Sequence, residues 1–231
     1  MIGRVLLAAL LAGIAAGLIM ASIQHVRLTP LILAAEQFET AGHAHSEGEA
    51  TTEHAHDVEG WMPEDGWQRT LSTTATVMMT GAGYAIILAG VSLLAGATIN
   101  RRNGVVWGLC GFLAASLAPA AGLPPELPGM PAADVTARQL WWLFTTAATG
   151  AGLYLIALRR ETWAIFAAVA LIALPHIFGA PTAATHETAV PAGLAAAFAS
   201  NAIAANAVFW AFIGLFLGLA MEKFVKEPSP T

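Results

Sequence analysis

Six long apolar runs, separated by short polar connections, dominate this chain of 231 residues. Each is near or above the roughly 17 to 25 residues that an α-helix needs to cross a bilayer. The runs are Val5–Ile23, Leu71–Ile99, Val105–Leu123, Leu140–Leu158, Trp163–Ala180 and Leu194–Met221. Only 11% of the residues are charged, against roughly 25% in a soluble domain. The sequence therefore predicts an all-α, polytopic integral membrane protein, a single membrane domain over residues 1–231 with about six transmembrane helices.

The lysine and arginine residues between the runs predict the orientation of the chain, because cytoplasmic segments carry an excess of them. With the N-terminus inside, the inner segments hold Arg4, Arg101, Arg102, Arg159, Arg160, Lys223 and Lys226, and the outer segments hold only Arg27, Arg69 and Arg138. We therefore expect both termini in the cytoplasm. The segment at residues 24–69, between helices one and two, is then external, and residues 222–231 form a short cytoplasmic tail.

The external segment contains a histidine-rich and acidic stretch, Ala41–Glu59. Its candidate metal-binding side chains are His43, His45, His54 and His56, in two His-x-His pairs, with Glu47, Glu49, Glu53, Asp57 and Glu59. Imidazole nitrogen and carboxylate oxygen together suit a borderline divalent cation such as Co²⁺, Ni²⁺ or Zn²⁺. The stretch therefore predicts a metal-binding loop; a solvated spacer and a pH sensor are the alternatives.

His176 lies inside the fifth apolar run, directly after Pro175. An ionisable residue at membrane depth is by default a candidate functional residue. Pro175 removes a backbone donor and so frees a carbonyl that can also act as a ligand. With the carbonyls near Pro119 and the carboxylate of Glu126 at the outer mouth, His176 forms the best intramembrane ligand cluster that the sequence offers. The alternative is an imidazole that donates one hydrogen bond to a neighbouring helix.

Two further candidate ligands lie near the outer end of the first helix. His25 is predicted there as a ligand, or else as a residue that only reaches toward the membrane surface. Glu36 and Glu39 are three residues apart and share a helix face. We expect their segment to lie along the outer membrane surface, where Glu36 either passes a cation inward or is simply solvated.

Small and aromatic residues in the runs predict packing. Ala9, Gly13, Gly17 and Ala21 form a stripe at four-residue spacing, which lets a neighbouring helix approach closely. This stripe favours a helix that is retained, in preference to a cleaved signal peptide. The pair Trp141 and Trp142 is typical of anchors in an interfacial aromatic belt.

Several functional classes are disfavoured by the sequence. Cys110 is the single cysteine, so no disulfide forms within the chain. The chain contains no P-loop motif, and its acidic balance, with few lysines, argues against nucleic acid as a partner. Polar groups within the runs are scarce beyond His176, Asn201 and Asn206, so we do not expect an enzyme.

Several motifs together resemble the CbtA family of cobalt transporter subunits, and the resemblance covers nearly the whole chain. They are the N-terminal Met1–Leu10, the stretch Thr29–Glu36, the histidine-rich loop, Trp61–Arg69, the Pro-Pro-Glu-Leu-Pro-Gly element within Gly122–Pro131, and Leu174-Pro175-His176. The resemblance implies a multi-pass protein of the bacterial inner membrane that supplies cobalt for cobalamin synthesis. It also implies a small, single-helix, histidine-bearing partner called CbtB.

The residues themselves agree on a membrane and a metal but do not select cobalt. Nitrogen and oxygen ligands bind nickel and copper more strongly than cobalt, so selectivity requires geometry or availability. We expect a metal-uptake subunit that captures metal at the external loop and passes it across the membrane. The inner half of the helices is nearly bare of ligands, which keeps two alternatives open: a metal-binding accessory or sensor that does not conduct, and a membrane assembly factor with an incidental histidine loop.

Overall fold

The computed structural model describes residues 1–44, 66–159, 161–185 and 187–225 of the chain. The regular structure in these ranges is helical, with no strand among them. The helices are α1 (Ile2–Ile23), α2 (Thr29–Ala44), α3 (Trp67–Leu94), α4 (Gly104–Phe112), α5 (Ala118–Ala120), α6 (Val135–Leu158), α7 (Thr162–Phe178) and α8 (Ala192–Phe224). The prediction of an all-α protein is confirmed for the part of the chain that is described.

Two π-helical turns each join two α-helices, one beyond the predicted end of the first helix and one inside the predicted third helix, Val105–Leu123. π-turn A (Gln24–Leu28) connects α1 to α2, and π-turn B (Leu113–Leu117) connects α4 to α5. The first helix therefore continues from Ile2 through the region predicted as the start of an external loop, as far as Ala44. Likewise α8 continues to Phe224, into the segment predicted as the cytoplasmic tail.

Each π-turn ends two residues before a proline, Pro30 in α2 and Pro119 in α5. Proline lacks an N–H, and its ring meets the carbonyl of the residue four positions earlier, which normally ends or kinks a helix. In a π-turn the hydrogen bonds span five residues; here Thr29 N–H donates to Gln24 O and Ala118 N–H donates to Leu113 O. The extra residue changes the hydrogen-bond register just before the proline, and the helix continues past it.

Four helices of the described chain are long and apolar enough to cross a membrane, namely Ile2–Phe38, Trp67–Leu94, Val135–Leu158 and Ala192–Phe224. The apolar helices Gly104–Ala120 and Thr162–Phe178 are shorter. At 1.5 Å per residue, the 17 residues of α7 extend about 25 Å, slightly less than the ~30 Å hydrocarbon layer.

Glycine contacts hold the centre of the bundle together. The helix α1 packs between α3 and α8, and α8 packs between α1 and α4. A methyl group on Gly13 would clash with the backbone of Gly81 in α3, and one on Gly17 would clash with Met78. The close packing predicted for the small-residue stripe of α1 is thus confirmed at these two glycines.

The α4–α8 crossing is built in the same way. Gly104 and Gly108 of α4 face Gly214 and Trp210 of α8, with backbone against backbone. Since membrane helices gain little from hydrophobic transfer against each other, such close van der Waals contact is a main source of their association. The four helices α1, α3, α4 and α8 form what we call the four-helix core.

The hairpin of α6 and α7 lies beside this core. Its inner helix, α6, packs against π-turn B and α5, and α7 packs mainly against α6. The helices therefore follow one another in a row, with α7 at one edge. At the end of the bundle predicted to be external, a small apolar cluster of Ala35, Leu127 and Val190 ties α2 to the connections before α6 and before α8.

Candidate functional site

The two predicted carboxylate ligands each pair with an arginine. Glu36 in α2 accepts a hydrogen bond from Arg69 in the first turn of α3, with 2.5 Å between Oε1 and Nη2. Glu126, in the connection after α5, pairs with Arg138 in the first turn of α6 at 2.8 Å. All four side chains are between 22% and 36% exposed. A cation that binds either carboxylate must therefore compete with an arginine or bind beside it, and partial solvation makes an exchange feasible.

His176 is not enclosed by the bundle, although the sequence placed it in a ligand cluster with Glu126. The reason is helical geometry: Pro175 is fully buried against α6, and the next side chain projects about 100° around the helix. His176 is consequently exposed. It borders an open groove of about 490 Å³ whose other lining residues are Val169, Ile172, Ala173 and Ile177.

The His176 ring is oriented by one aromatic neighbour. Its centroid lies 5.9 Å from that of Trp141, with an angle of 76° between the rings, an edge-to-face contact. The imidazole makes no hydrogen bond within the described part of the chain. Its predicted alternative role, as a donor to a neighbouring helix, is therefore not seen among these residues.

The remaining predicted ligands are histidines. His25 lies in π-turn A with its side chain exposed. The helix α2 includes the backbone of His43, which the sequence placed in the external loop; the arrangement of its side chain lies outside what the structure describes. His45, His54 and His56 also lie outside the described residues.

No group of three or more His, Cys, Asp and Glu side chains able to hold a metal ion occurs within residues 1–44, 66–159, 161–185 and 187–225. A structural or catalytic metal site normally provides at least three protein ligands. The predicted cluster of His176, Glu126 and the proline carbonyls contains only two side chains of these types, so it stays a prediction.

Trp141, predicted with Trp142 to anchor the interface, is instead buried, whereas Trp142 is only partly buried. Trp141 is only 8% exposed, and Trp142 donates its indole N–H to the carbonyl of Ala115 at 3.0 Å. The sequence did contain a signal that the two indoles differ in surroundings. Consecutive helical residues point about 100° apart, so Trp141 and Trp142 cannot both face lipid squarely.

A second indole, that of Trp210 in α8, donates to Ser116 Oγ at 3.1 Å and stacks on Tyr84 of α3 at 4.6 Å between ring centroids. Sequence reasoning did not identify this polar contact inside the core. By contrast, the amides of Asn201 and Asn206 donate within their own helix, to Ala197 O and Ala202 O at 2.8 and 3.0 Å.

These features define a multi-pass helical membrane protein. A family model described as "Probable cobalt transporter subunit (CbtA)" matches residues 2–222. The chain therefore belongs to the CbtA family, whose description implies cobalt as the transported ion and a transport subunit in preference to an enzyme. No curated protein and no solved structure matches the chain.

Proposed function

We propose that this chain is the membrane-embedded subunit of a bacterial cobalt uptake system in the inner membrane. The family match across residues 2–222 is the observation that carries the proposal. The histidine-rich stretch, with His43, His45, His54 and His56, captures the metal outside, and the bundle takes part in its passage inward. Cobalt enters cobalamin synthesis after uptake.

The proposed topology has six crossings with both termini in the cytoplasm. Four membrane-length helices support it, and the shorter Gly104–Ala120 and Thr162–Phe178 supply the other two crossings. A 17-residue helix spans a bilayer with modest local thinning. The placement of lysines and arginines supports the orientation.

In this proposal the histidine-rich stretch captures metal because the chain holds its ligands close to the outer mouth of the bundle. Flexibly linked ligands raise the local concentration of metal at the outer mouth without forming the path themselves. Neutral imidazole binds metal near pH 7 without first losing a proton, so capture is reversible.

At the outer mouth, Glu36 and Glu126 receive the ion by exchange with their arginines. A divalent cation is attracted to a carboxylate more strongly than a singly charged guanidinium at equal distance. The released Arg69 or Arg138 side chain can turn toward water, because each is about a third exposed. His25 and His176 are further proposed ligands at this end.

In this proposal the metal ion needs a second subunit to cross the inner half of the membrane. The α1–α3 and α4–α8 contacts bring backbone against backbone, which leaves no room for an ion at these crossings. This packing favours a path shared with another subunit, and we include a small, single-helix, CbtB-like protein in the proposal. The same packing is the specific observation that favours the second candidate function, a metal-binding accessory or sensor that does not conduct.

The test measures uptake of radioactive cobalt into membrane vesicles that contain this chain alone, the chain with its small partner, or neither. Uptake that requires the chain establishes transport, whereas cobalt binding by the two preparations that contain the chain, without uptake in either, favours the accessory. His176→Ala is expected to abolish uptake even at saturating cobalt. The four loop histidines changed together to Ala should raise only the cobalt concentration needed for half-maximal uptake. Parallel assays with Ni²⁺ and Zn²⁺ determine which metal is preferred.

A further inference from the structure

The chain contains two equivalent helix pairs. In each pair, a helix that ends in a π-turn leads through a proline to a carboxylate, and the next long helix carries the arginine that pairs with this carboxylate. The first pair is α1 and α3, and the second is α4 and α6. The corresponding residues are Pro30, Glu36 and Arg69 in the first pair, and Pro119, Glu126 and Arg138 in the second.

A shared tetrapeptide fixes the register between α3 and α6. The sequence Thr-Gly-Ala-Gly occurs at Thr80–Gly83 in α3 and at Thr149–Gly152 in α6. In both helices it stands at the same spacing after the arginine that pairs with the carboxylate. Gly83 of α3 therefore corresponds to Gly152 of α6, and the surroundings of the two glycines can be compared directly.

On α6, the second glycine of the tetrapeptide receives another helix. A methyl group on Gly152 would lie 2.7 Å from Ile172 Cγ1 and 3.0 Å from the carbonyl oxygen of Ala168, both in α7. Gly152 is buried at this contact. It thus makes room for a branched side chain and for the backbone of a neighbouring apolar helix.

The corresponding glycine on α3 is exposed. A methyl group on Gly83 would meet no atom of the described residues within 4 Å. Met79 and Ile87, which share its helix face, are 75% and 60% exposed. Glycine in a helix interior costs roughly 1 kcal/mol relative to alanine, and contact with lipid does not offset that cost. The equivalence with Gly152 supplies a reason for glycine at this position, namely the close approach of a helix.

The direction of the incoming helix follows from α7. Trp141, early in α6, contacts His176, late in α7. Gly152, late in α6, contacts the earlier Ala168, so α7 runs antiparallel to α6. The same relation at α3 requires a helix antiparallel to α3. The α3 helix of a second copy does not satisfy this requirement, because the same helix in two copies of one topology runs parallel.

The α7 helix of a second copy is equally unsuitable. Its two alanines that match this kind of contact, Ala164 and Ala168, are already buried against its own α6. A helix from a different protein therefore fits the exposed glycine of α3 better than a second copy of this chain does.

We propose that the Gly83 face of α3, defined by Met79, Gly83 and Ile87, binds the single transmembrane helix of a small partner subunit. This helix runs antiparallel to α3 and places a branched apolar side chain over Gly83. With the orientation proposed above, the partner has its N-terminus in the cytoplasm and its C-terminus outside. The identity of the partner as the CbtB-like subunit rests on the proposed function, whereas the docking face rests on the internal repeat.

Co-purification tests the contact at Gly83. The affinity-tagged chain is co-expressed with the CbtB-like subunit, and the amount of subunit recovered per chain is measured after extraction in mild detergent. Gly83→Ile should lower the recovery by about tenfold or more, because a β-branched side chain overpacks the crossing. Gly150→Ile is the matched control and should leave the recovery unchanged. Gly150 is the first glycine of the same tetrapeptide in α6, and a methyl group there also meets no described atom within 4 Å.

Photo-cross-linking in native membranes tests the position and the direction. p-Benzoylphenylalanine in place of Met79 should capture the small subunit. The same group in place of Phe166, which is 73% exposed on α7, should not. An epitope at the C-terminus of the subunit should be accessible to antibody in intact spheroplasts.

Each result decides the proposal. Undiminished recovery with Gly83→Ile, or an equal loss with Gly150→Ile, overturns the docking face. Capture of a second copy from position 79 overturns the partner subunit as the occupant, and no capture there assigns the face to lipid. An epitope accessible only after lysis overturns the antiparallel direction. Association at this face without cobalt uptake would reject the proposed function alone, whereas cobalt uptake with the subunit bound elsewhere would reject this inference alone.

Discussion

The indole N–H of Trp142 donates to the carbonyl oxygen of Ala115 at 3.0 Å, which ties the α6–α7 hairpin to π-turn B. The next residue of the same turn, Ser116, accepts from the indole of Trp210 in α8. Two indoles from opposite sides thus bind consecutive residues of one irregular turn. This arrangement links the hairpin mechanically to the four-helix core.

Trp142→Phe should lower the free energy of unfolding by about 1 kcal/mol, because one hydrogen bond is lost and a partly buried carbonyl loses its donor. Thermal unfolding in detergent measures the change. Trp163→Phe is the control, since Trp163 is 58% exposed. Equal destabilisation by the two variants would show that the hydrogen bond to Ala115 contributes nothing.

Glycines two residues apart in α3 should respond in opposite ways to alanine. Gly81→Ala drives a methyl group into the backbone of Gly13 and should cost about 1 to 3 kcal/mol as overpacking. Gly83→Ala meets open space and should be neutral or slightly stabilising, because alanine favours helix. Thermal unfolding of both variants decides; a tolerant Gly81→Ala would contradict the close α1–α3 contact.

Accessibility of introduced cysteines should report the orientation. In a Cys110→Ala background, Ser46→Cys and Thr51→Cys should react with a membrane-impermeant thiol reagent in intact spheroplasts, whereas Asn103→Cys should react only after lysis. The expectation follows from the excess of lysine and arginine on the side of Asn103. The reverse labelling pattern would invert the proposed topology.

A soluble peptide covering Thr40–Gly60 should bind Co²⁺ or Ni²⁺ with micromolar affinity at about pH 7.5. Because protonated imidazole cannot coordinate, affinity should fall as the pH drops through about 6.5, the ordinary pKa of histidine, and be largely lost near pH 5.5. Calorimetry at both pH values measures this. A peptide with the four histidines replaced by alanine is the control, and equal binding by both peptides would assign the metal to the carboxylates.

The helices of the described chain follow the predicted apolar runs closely, because an apolar run of membrane length is a strong signal for a helix. The predicted end of the first helix, at Ile23, is wrong, because the chain continues through π-turn A into α2, and the sequence carries no local signal for a π-turn. Gly13 and Gly17 were identified by their four-residue spacing. Their partners, Gly81 and Met78, were not, because helix pairing depends on the tertiary arrangement.

The candidate ligands were predicted from their residue types, and the structure shows which residues they contact. The arginine partners of Glu36 and Glu126 are separated from them in sequence, so pairing could not be inferred without the fold. The exposure of His176 was equally hidden, since the direction of a side chain depends on which face of α7 meets α6. The described residues leave the roles of the loop histidines as predictions.

π-turn A has a consequence for how this chain tolerates insertions and deletions. Relative to an uninterrupted α-helix, one additional residue rotates everything that follows by about 100°. The face of α2 that brings Glu36 to Arg69 is therefore set by the number of residues between Gln24 and Leu28 as much as by their identity. Deleting a single residue there would turn Glu36 away from α3 while leaving the composition and hydropathy of the helix almost unchanged. The number of residues in π-turn A therefore fixes the contact between Glu36 and Arg69.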